Sequence, residues 1–388
     1  MKRHAVISML IASFILGAWF SSGVKAEEKS KDGKSEESKL KKLYELTLPE
    51  CITAFSVKQI KDEHVVLDKV LTLSGVYSVT DNKKSILLRK RRREIHGWTR
   101  CDPRLESFSH DGKHFIETVN CGEKCSRVVI NHLEKDSSIA FDRATSFGAI
   151  SNHSLLLHTG NNAFIADFAG KTLAELSEMA TTKSFSDGFI CSGMDSYFYF
   201  LNASGEIHAK KQHHSQGISY DVDYVTGTTA LIVPNESLLY VYDSHGSLKT
   251  KFKLPFPGYT VGIGISEGGE YAAVMSSKGW IRLFDLNGKK ELWKKDLRWG
   301  GRFVGSSSPI PVSYKGEYVV VYGDLEMGVN PKWSFIVFNK VGTCVSQIEA
   351  PIPRNMISYY FLDFIPGTNK IVGFTDNTLS VYEISEGE

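Results

Sequence analysis

Hydrophobic and polar positions along the chain fall into short alternating runs separated by Gly-containing corners. The pattern is clearest in WIRLFDLNGKKELWKK, residues 280–295. Ile281 and Leu283 alternate with Arg282, an Asp-Leu-Asn-Gly corner follows, and a second, more polar run closes on Trp293. A period of two marks a half-buried strand. The same order of strand, Asp or Asn, and Gly recurs in AFIADFAGKTLAEL (Asp167), YFYFLNASGEIHAK (Asn202), LYVYDSHGSLKTKF (Asp243) and SFIVFNKVGTCVSQI (Asn339). Weaker copies surround Asp81 and Asn131, and LSVYEISEGE supplies a degenerate last copy at Glu383. Each anchor follows another apolar run, among them FIETV, LLLHT, GFICSG, TALIV, YAAVM, YVVVY and IVGFT.

The pattern predicts a four-stranded antiparallel unit. Its second strand is apolar, its third alternates, and Asp/Asn-x-x-Gly turns the chain into a polar outer strand. Asp and Asn suit that corner because their side chains hydrogen-bond the backbone just ahead, while Gly accepts positive φ. One small twisted sheet cannot bury both faces, and units repeating every ~35–54 residues stack face on face around an axis. The predicted fold class is therefore all-β, a single β-propeller. Counting anchors gives eight blades, with seven as the alternative. The chain ends just after the last third strand, leaving that blade without an outer strand. YELTLPE, residues 44–50, reads like the outer strand KTKFKLPFP and is placed to supply it by pairing near Val381 and Tyr382.

The copy at Asp285, with Trp293 at the matching spacing, resembles the pyrroloquinoline-quinone-type (WD-like) propeller repeat. Gly288 comes one residue early for that repeat, and no Thr precedes it. The chain also resembles, distantly, the propeller subunit of the outer-membrane β-barrel assembly machinery. That subunit carries a lipid-anchor cysteine, for which this sequence has no counterpart at the end of its apolar leader. The resemblance implies a protein-binding or scaffold role. The quinone-dependent dehydrogenases that share the repeat need an adjacent Cys-Cys pair, which this chain lacks, so no cofactor is expected.

The N-terminus changes the picture of where the protein works. MKRH, an apolar core AVISMLIASFILGAWF, and small residues at Val24 and Ala26 form the three parts of a signal peptide, residues 1–26. Residues 27–42, EEKSKDGKSEESKLKK, hold one apolar side chain, Leu40, and are expected to be a disordered charged linker ahead of a propeller spanning 43–388. The expected localisation is secreted or periplasmic. The formal charge of +2 gives no reason to expect a nucleic-acid partner. A monomer that binds another protein or an envelope component is expected, with no membrane span once the signal is removed.

All six cysteines lie beyond the signal segment. An oxidising compartment permits disulfides, and Cys121 and Cys125, in NCGEKCS, are the best local pair because they bracket a hairpin loop. A Zn half-site is the rival reading, but no second Cys or His pair stands at a recognised spacing.

The most concentrated charge is RKRRR: Arg89, Lys90, Arg91, Arg92 and Arg93. It is either an anion- or partner-binding patch or a charged edge strand that resists edge-to-edge pairing. In KKQHH, His213 and His214 are neighbours whose side chains point apart on a strand, and a surface loop is expected. His110 and His114 flank a turn. Trp299, Trp333, Phe256 and Tyr259 lie in or beside connecting segments, and Asn152, Asn202 and Asn235 head glycosylation sequons relevant to a eukaryotic source. No G-x-S-x-G elbow, H-E-x-x-H or acidic calcium loop occurs, so no catalytic, cofactor or metal residue is assigned. The expected function is a non-catalytic binding module. The alternative is a propeller enzyme of hydrolase, lyase or lactonase type, with its residues gathered in the central channel.

Overall fold

The computed structural model describes residues 39–48, 52–59, 65–72, 75–79, 85–90, 106–109, 112–122, 125–135, 137–213, 218–255, 260–297, 310–324, 333–349, 361–375 and 378–385. The signal segment lies outside them. The described residues form eight antiparallel sheets. In chain order these are eight blades of a β-propeller. The anchors Asp167, Asn202, Asp243, Asp285 and Asn339 end, or lie just beyond, the third strand of a blade, whereas Asn131 and Glu383 lie within theirs. Trp280–Asp285, for example, is the third strand of blade six and runs into the outer strand Lys290–Asp296.

Seven sheets have four strands. In blade seven the sheet holds Tyr318–Asp324, Trp333–Asn339 and Cys344–Glu349, and its inner position is marked by an isolated bridge from Val312 to Val319. There the backbone leans on blade six, where Ile310 N donates to Ile263 O at 3.2 Å. Gly264 makes this approach feasible, since a Cβ at that position would stand 1.7 Å from Ile310 O.

The core is divided among the seams between blades. Phe185, Phe198 and Phe200 of blade four pack with Leu231 and Tyr242 of blade five. Ile232 and Val241 of blade five pack on Val274 and Phe284 of blade six. Alternate residues of one strand thus serve opposite neighbours, as a period of two requires. Leu46 and Leu48 pack with Ile52 and Val70 of blade one and with Leu379 and Val381 of blade eight, which closes the ring.

Closure uses the N-terminal strand Lys39–Thr47, which pairs with Thr378–Ser385, Tyr44 opposite Val381 and Glu45 opposite Ser380. The expected linker boundary at residue 42 needs correction, because this strand begins at Lys39. Leu40 is the reason. It is buried among Val320 and Phe335 of blade seven and Tyr382 and Ile384 of blade eight. Among the described residues, no helix is long and apolar enough to cross a membrane.

Candidate functional site at the channel mouth

The inner strands of the eight blades surround the central channel, and one mouth of that channel holds a cavity of about 250 Å³. It is lined by Asp221, Asp223, Tyr224 and Val225 of blade five, Ile265 and Glu267 of blade six, Val312 and Tyr314 of blade seven, and Asp363 to Pro366 of blade eight. All these residues end inner strands or lie in the turns after them. The local sequences explain the placement. At the end of Ser219–Val222 the order Asp221, Val222, Asp223 places Asp221 and, just beyond the strand, Asp223 on one side. In Phe361–Phe364 a lone Asp363 interrupts an apolar run.

Three of the four carboxylates are tied to other blades. Asp221 accepts from Lys183 Nζ of blade four at 2.5 Å and from Ile265 N of blade six at 3.1 Å. Asp223 is buried and accepts from Thr226 N at 2.8 Å and from Gly268 N at 3.1 Å. Glu267 accepts from Gly367 N of blade eight at 2.6 Å. These bonds span four blades and fix the shape of the mouth.

Asp363 is different. Its Oδ1 accepts from the adjacent Phe364 N at 2.8 Å, and no other hydrogen bond reaches its carboxyl among the described residues. Burial pushes its pKa up to about 7, a rise that the Phe364 N–H and Lys183 oppose and that Asp221 and Glu267 reinforce. Near neutrality it is a half-charged group facing a cavity.

The rim is apolar and aromatic. Val225 is 53% exposed and Tyr314 43%, large values for such side chains and adjacent to a concave acidic floor. The Tyr224 hydroxyl reaches back to Asn152 Oδ1 of blade three at 3.0 Å. Among the described residues, no three His, Cys, Asp or Glu side chains gather as metal ligands.

The residues singled out from sequence lie elsewhere. Arg89 and Lys90 end the outer strand Ser85–Lys90 of blade one, and Arg91, Arg92 and Arg93 lie outside the described residues. Cys121 and Cys125 belong to the hairpin formed by His114–Gly122 and Cys125–His132, where Gly122 pairs with Cys125 and Cys121 falls in a register shift. His213 is a correction. It is buried rather than in a surface loop, with Nε2 3.1 Å from the Tyr242 hydroxyl and its ring against Tyr240. Trp333 begins a strand, while His110, His214, Phe256, Tyr259 and Trp299 lie outside the described residues.

No family model matches the sequence, and no curated protein matches it. Solved structures do. The C-terminal WD40 domain of Sif2 superposes with a TM-score of 0.60 at 12% identity, covering 90% of this chain and 99% of that one. BamB from Moraxella catarrhalis superposes with a TM-score of 0.58 at 13% identity, covering 89% and 99%. At such identities the likeness is one of fold.

Proposed function

We propose that the protein is an exported propeller that acts without catalysis, as a monomer, and holds a partner protein or envelope component at the acidic channel mouth. The observation that carries this reading is the pairing of exposed Val225 and Tyr314 with a cavity whose walls are already braced from four blades. A rigid concave site with an aromatic and aliphatic rim loses little entropy on binding. The role fits a scaffold of the kind the propeller-subunit resemblance suggests, and the three-part leader MKRH…VKA supports export. The test is capture from an envelope or medium fraction with the native chain and with Val225→Asp and Tyr314→Ser. A partner retained by the native chain and lost by both variants supports the reading. Equal recovery by all three overturns it.

A second reading is favoured by one observation, the raised carboxyl of Asp363 in the same cavity as Asp221, which is ion-paired with Lys183. A carboxyl whose pKa is raised by burial suits a general-acid role in a hydrolase. Hydrolysis of an ester or glycoside panel that disappears in Asp363→Asn would favour this enzyme over the binding module.

A further inference from the structure

The channel mouth is acidic although the whole chain is near neutral, and much positive charge lies on the outer strands of blades four to six. Ile207–Gln212 carries Lys210 and Lys211, Leu248–Lys253 carries Lys249, Lys251 and Lys253, and Lys290–Asp296 carries Lys290, Lys294 and Lys295. Their acids are Glu291 and Asp296, and Glu291 already receives Arg282 at 3.0 Å. Lys210 is committed to Asp195 at 3.0 Å. Lys211, Lys249, Lys251 and Lys253 have no ion-pair partner among the described residues.

These four lysines are arranged rather than scattered. Lys251 lies opposite Tyr240 and Lys253 opposite Leu238, so both share the face that carries Tyr240. That face looks toward blade four, because Tyr240 packs on the cluster containing Phe198 and Phe200. Lys211 lies opposite Phe198 and therefore belongs to the facing surface of blade four. Lys249 sits at the bulge beside Tyr242. Blades stacked around an axis diverge outward. The two outer strands thus wall a furrow, with Lys211 on one side and Lys251 and Lys253 on the other. Glu236, which accepts from the Tyr240 hydroxyl, is an acid beside this face.

We propose that this furrow takes an extended acidic segment of a partner protein, with carboxylates on alternate residues. This surface is separate from the channel mouth and does not depend on that reading. Residues two apart on a strand repeat every ~6.8 Å, and an extended peptide repeats its own same-side residues at the same interval. Among the described residues no strand pairs with the outer edge of Leu248–Lys253, so its free N–H and C=O groups can ladder with an incoming chain. Lysines on such an edge also discourage pairing with the wrong chain, which an acidic segment alone would overcome. Because the lysines are turned into a furrow, a flat anionic membrane meets them poorly. A single-stranded nucleic acid would want a free aromatic platform, and the Tyr240 ring already lies against His213 and stacks on Tyr242.

The test uses the full chain and two labelled peptides of one composition, one alternating Glu with Thr, the other with all Glu in a block. Fluorescence anisotropy at low salt should show the alternating peptide binding at least about tenfold more tightly. Lys251→Glu with Lys253→Glu should lose about tenfold or more, Lys251→Arg with Lys253→Arg should retain binding, and Tyr314→Ser at the channel mouth should leave it unchanged. Equal affinity for both peptides, or for native and charge-reversed chains, overturns the proposal. So does tighter binding of phosphatidylglycerol vesicles or of a thymidine oligonucleotide through the same lysines.

Discussion

Gly342, at φ +82°, lies against the indole of Trp293, so that a Cβ at the glycine would stand 2.8 Å from Trp293 Cγ. The glycine closes the third-to-fourth-strand turn of blade seven, and the tryptophan belongs to the outer strand of blade six. The relationship recurs around the ring: Gly170 meets Ile139, Gly205 meets Ala174, and Gly246 meets Ala209 on the preceding blade. Each corner glycine therefore serves twice, as a left-handed turn residue and as a flat seat for its neighbour. Gly342→Ala should cost about 2–4 kcal/mol, from the left-handed backbone and the overpacked seam together. Trp293→Ala should cost about 3–5 kcal/mol. The double variant should cost less than the sum, because removing the indole removes the clash. Urea titrations of the four proteins check this, and strict additivity would show that the contact is not the cause.

Trp293 also gives a chemical contrast. Its Nε1 is buried and finds no acceptor among the described residues. Trp293→Phe leaves a smaller ring but removes an unpaired donor, whose burial costs about 1–3 kcal/mol. Melting temperatures should place it far closer to the native chain than to Trp293→Ala.

Ring closure predicts a sharp boundary for truncation. Lys39–Thr47 pairs along its length with Thr378–Ser385 and buries Leu40, Leu46 and, just beyond, Leu48. Removing residues through Glu37 should leave thermal stability nearly unchanged. Removing residues through Pro49 forfeits backbone bonds of about 0.5–1.5 kcal/mol each and uncovers the last blade's edge. A lower melting temperature or aggregation is expected for the longer deletion alone. Equal stability of the two truncations would rule out closure by strand exchange.

The blades were legible in the sequence for a physical reason. A side-chain oxygen at Asp167, Asn202, Asp243 or Asn339 accepts backbone N–H groups two and four residues ahead, so the corner demands a particular residue at a fixed distance from its glycine. In blade six Asp285 instead accepts from Gly288 N at 2.7 Å and Lys289 takes the left-handed conformation, which is why its glycine stands early for the repeat it resembles. Leu40 was the one apolar side chain in a charged stretch, and a single residue carries no periodicity. The channel mouth was illegible for another reason. Asp221, Glu267 and Asp363 come from three blades far apart in sequence, and only the closed ring makes them neighbours. A lone Asp between Leu362 and Phe364 was the available signal.

The hairpin holding Cys121 and Cys125 gives a redox prediction. Their strands pair with Gly122 opposite Cys125. Under oxidising conditions the two thiols should form one bridge, seen as a linked peptide in non-reducing mapping. Two free thiols after oxidative refolding would remove the pairing.

Asp363 gives a dependence of stability on pH whose sign is fixed. Its folded pKa is raised to about 7, chiefly by burial, whereas an unfolded chain titrates near the ordinary carboxylate value of about 4. Between these values the folded protein holds a proton that the unfolded chain has released, so stability falls as pH rises. The loss begins near pH 4, is complete a little above pH 7, and amounts to at most about 4 kcal/mol. The groups facing Asp363 are Asp221, Glu267 and Lys183, and Asp221 and Glu267 reinforce the rise while Lys183 opposes it. Asp363→Asn replaces the protonated carboxyl with a neutral group of similar shape. It should match the native chain at about pH 4 and exceed its stability by a margin that widens from there to about pH 7 and is full at pH 8. Other titrating groups affect both proteins alike, so the difference between their urea midpoints across pH 4–9 isolates this carboxyl. A difference that stays flat across that range would show that Asp363 is charged in the folded ring throughout, and that the mouth bears its full negative charge at neutral pH.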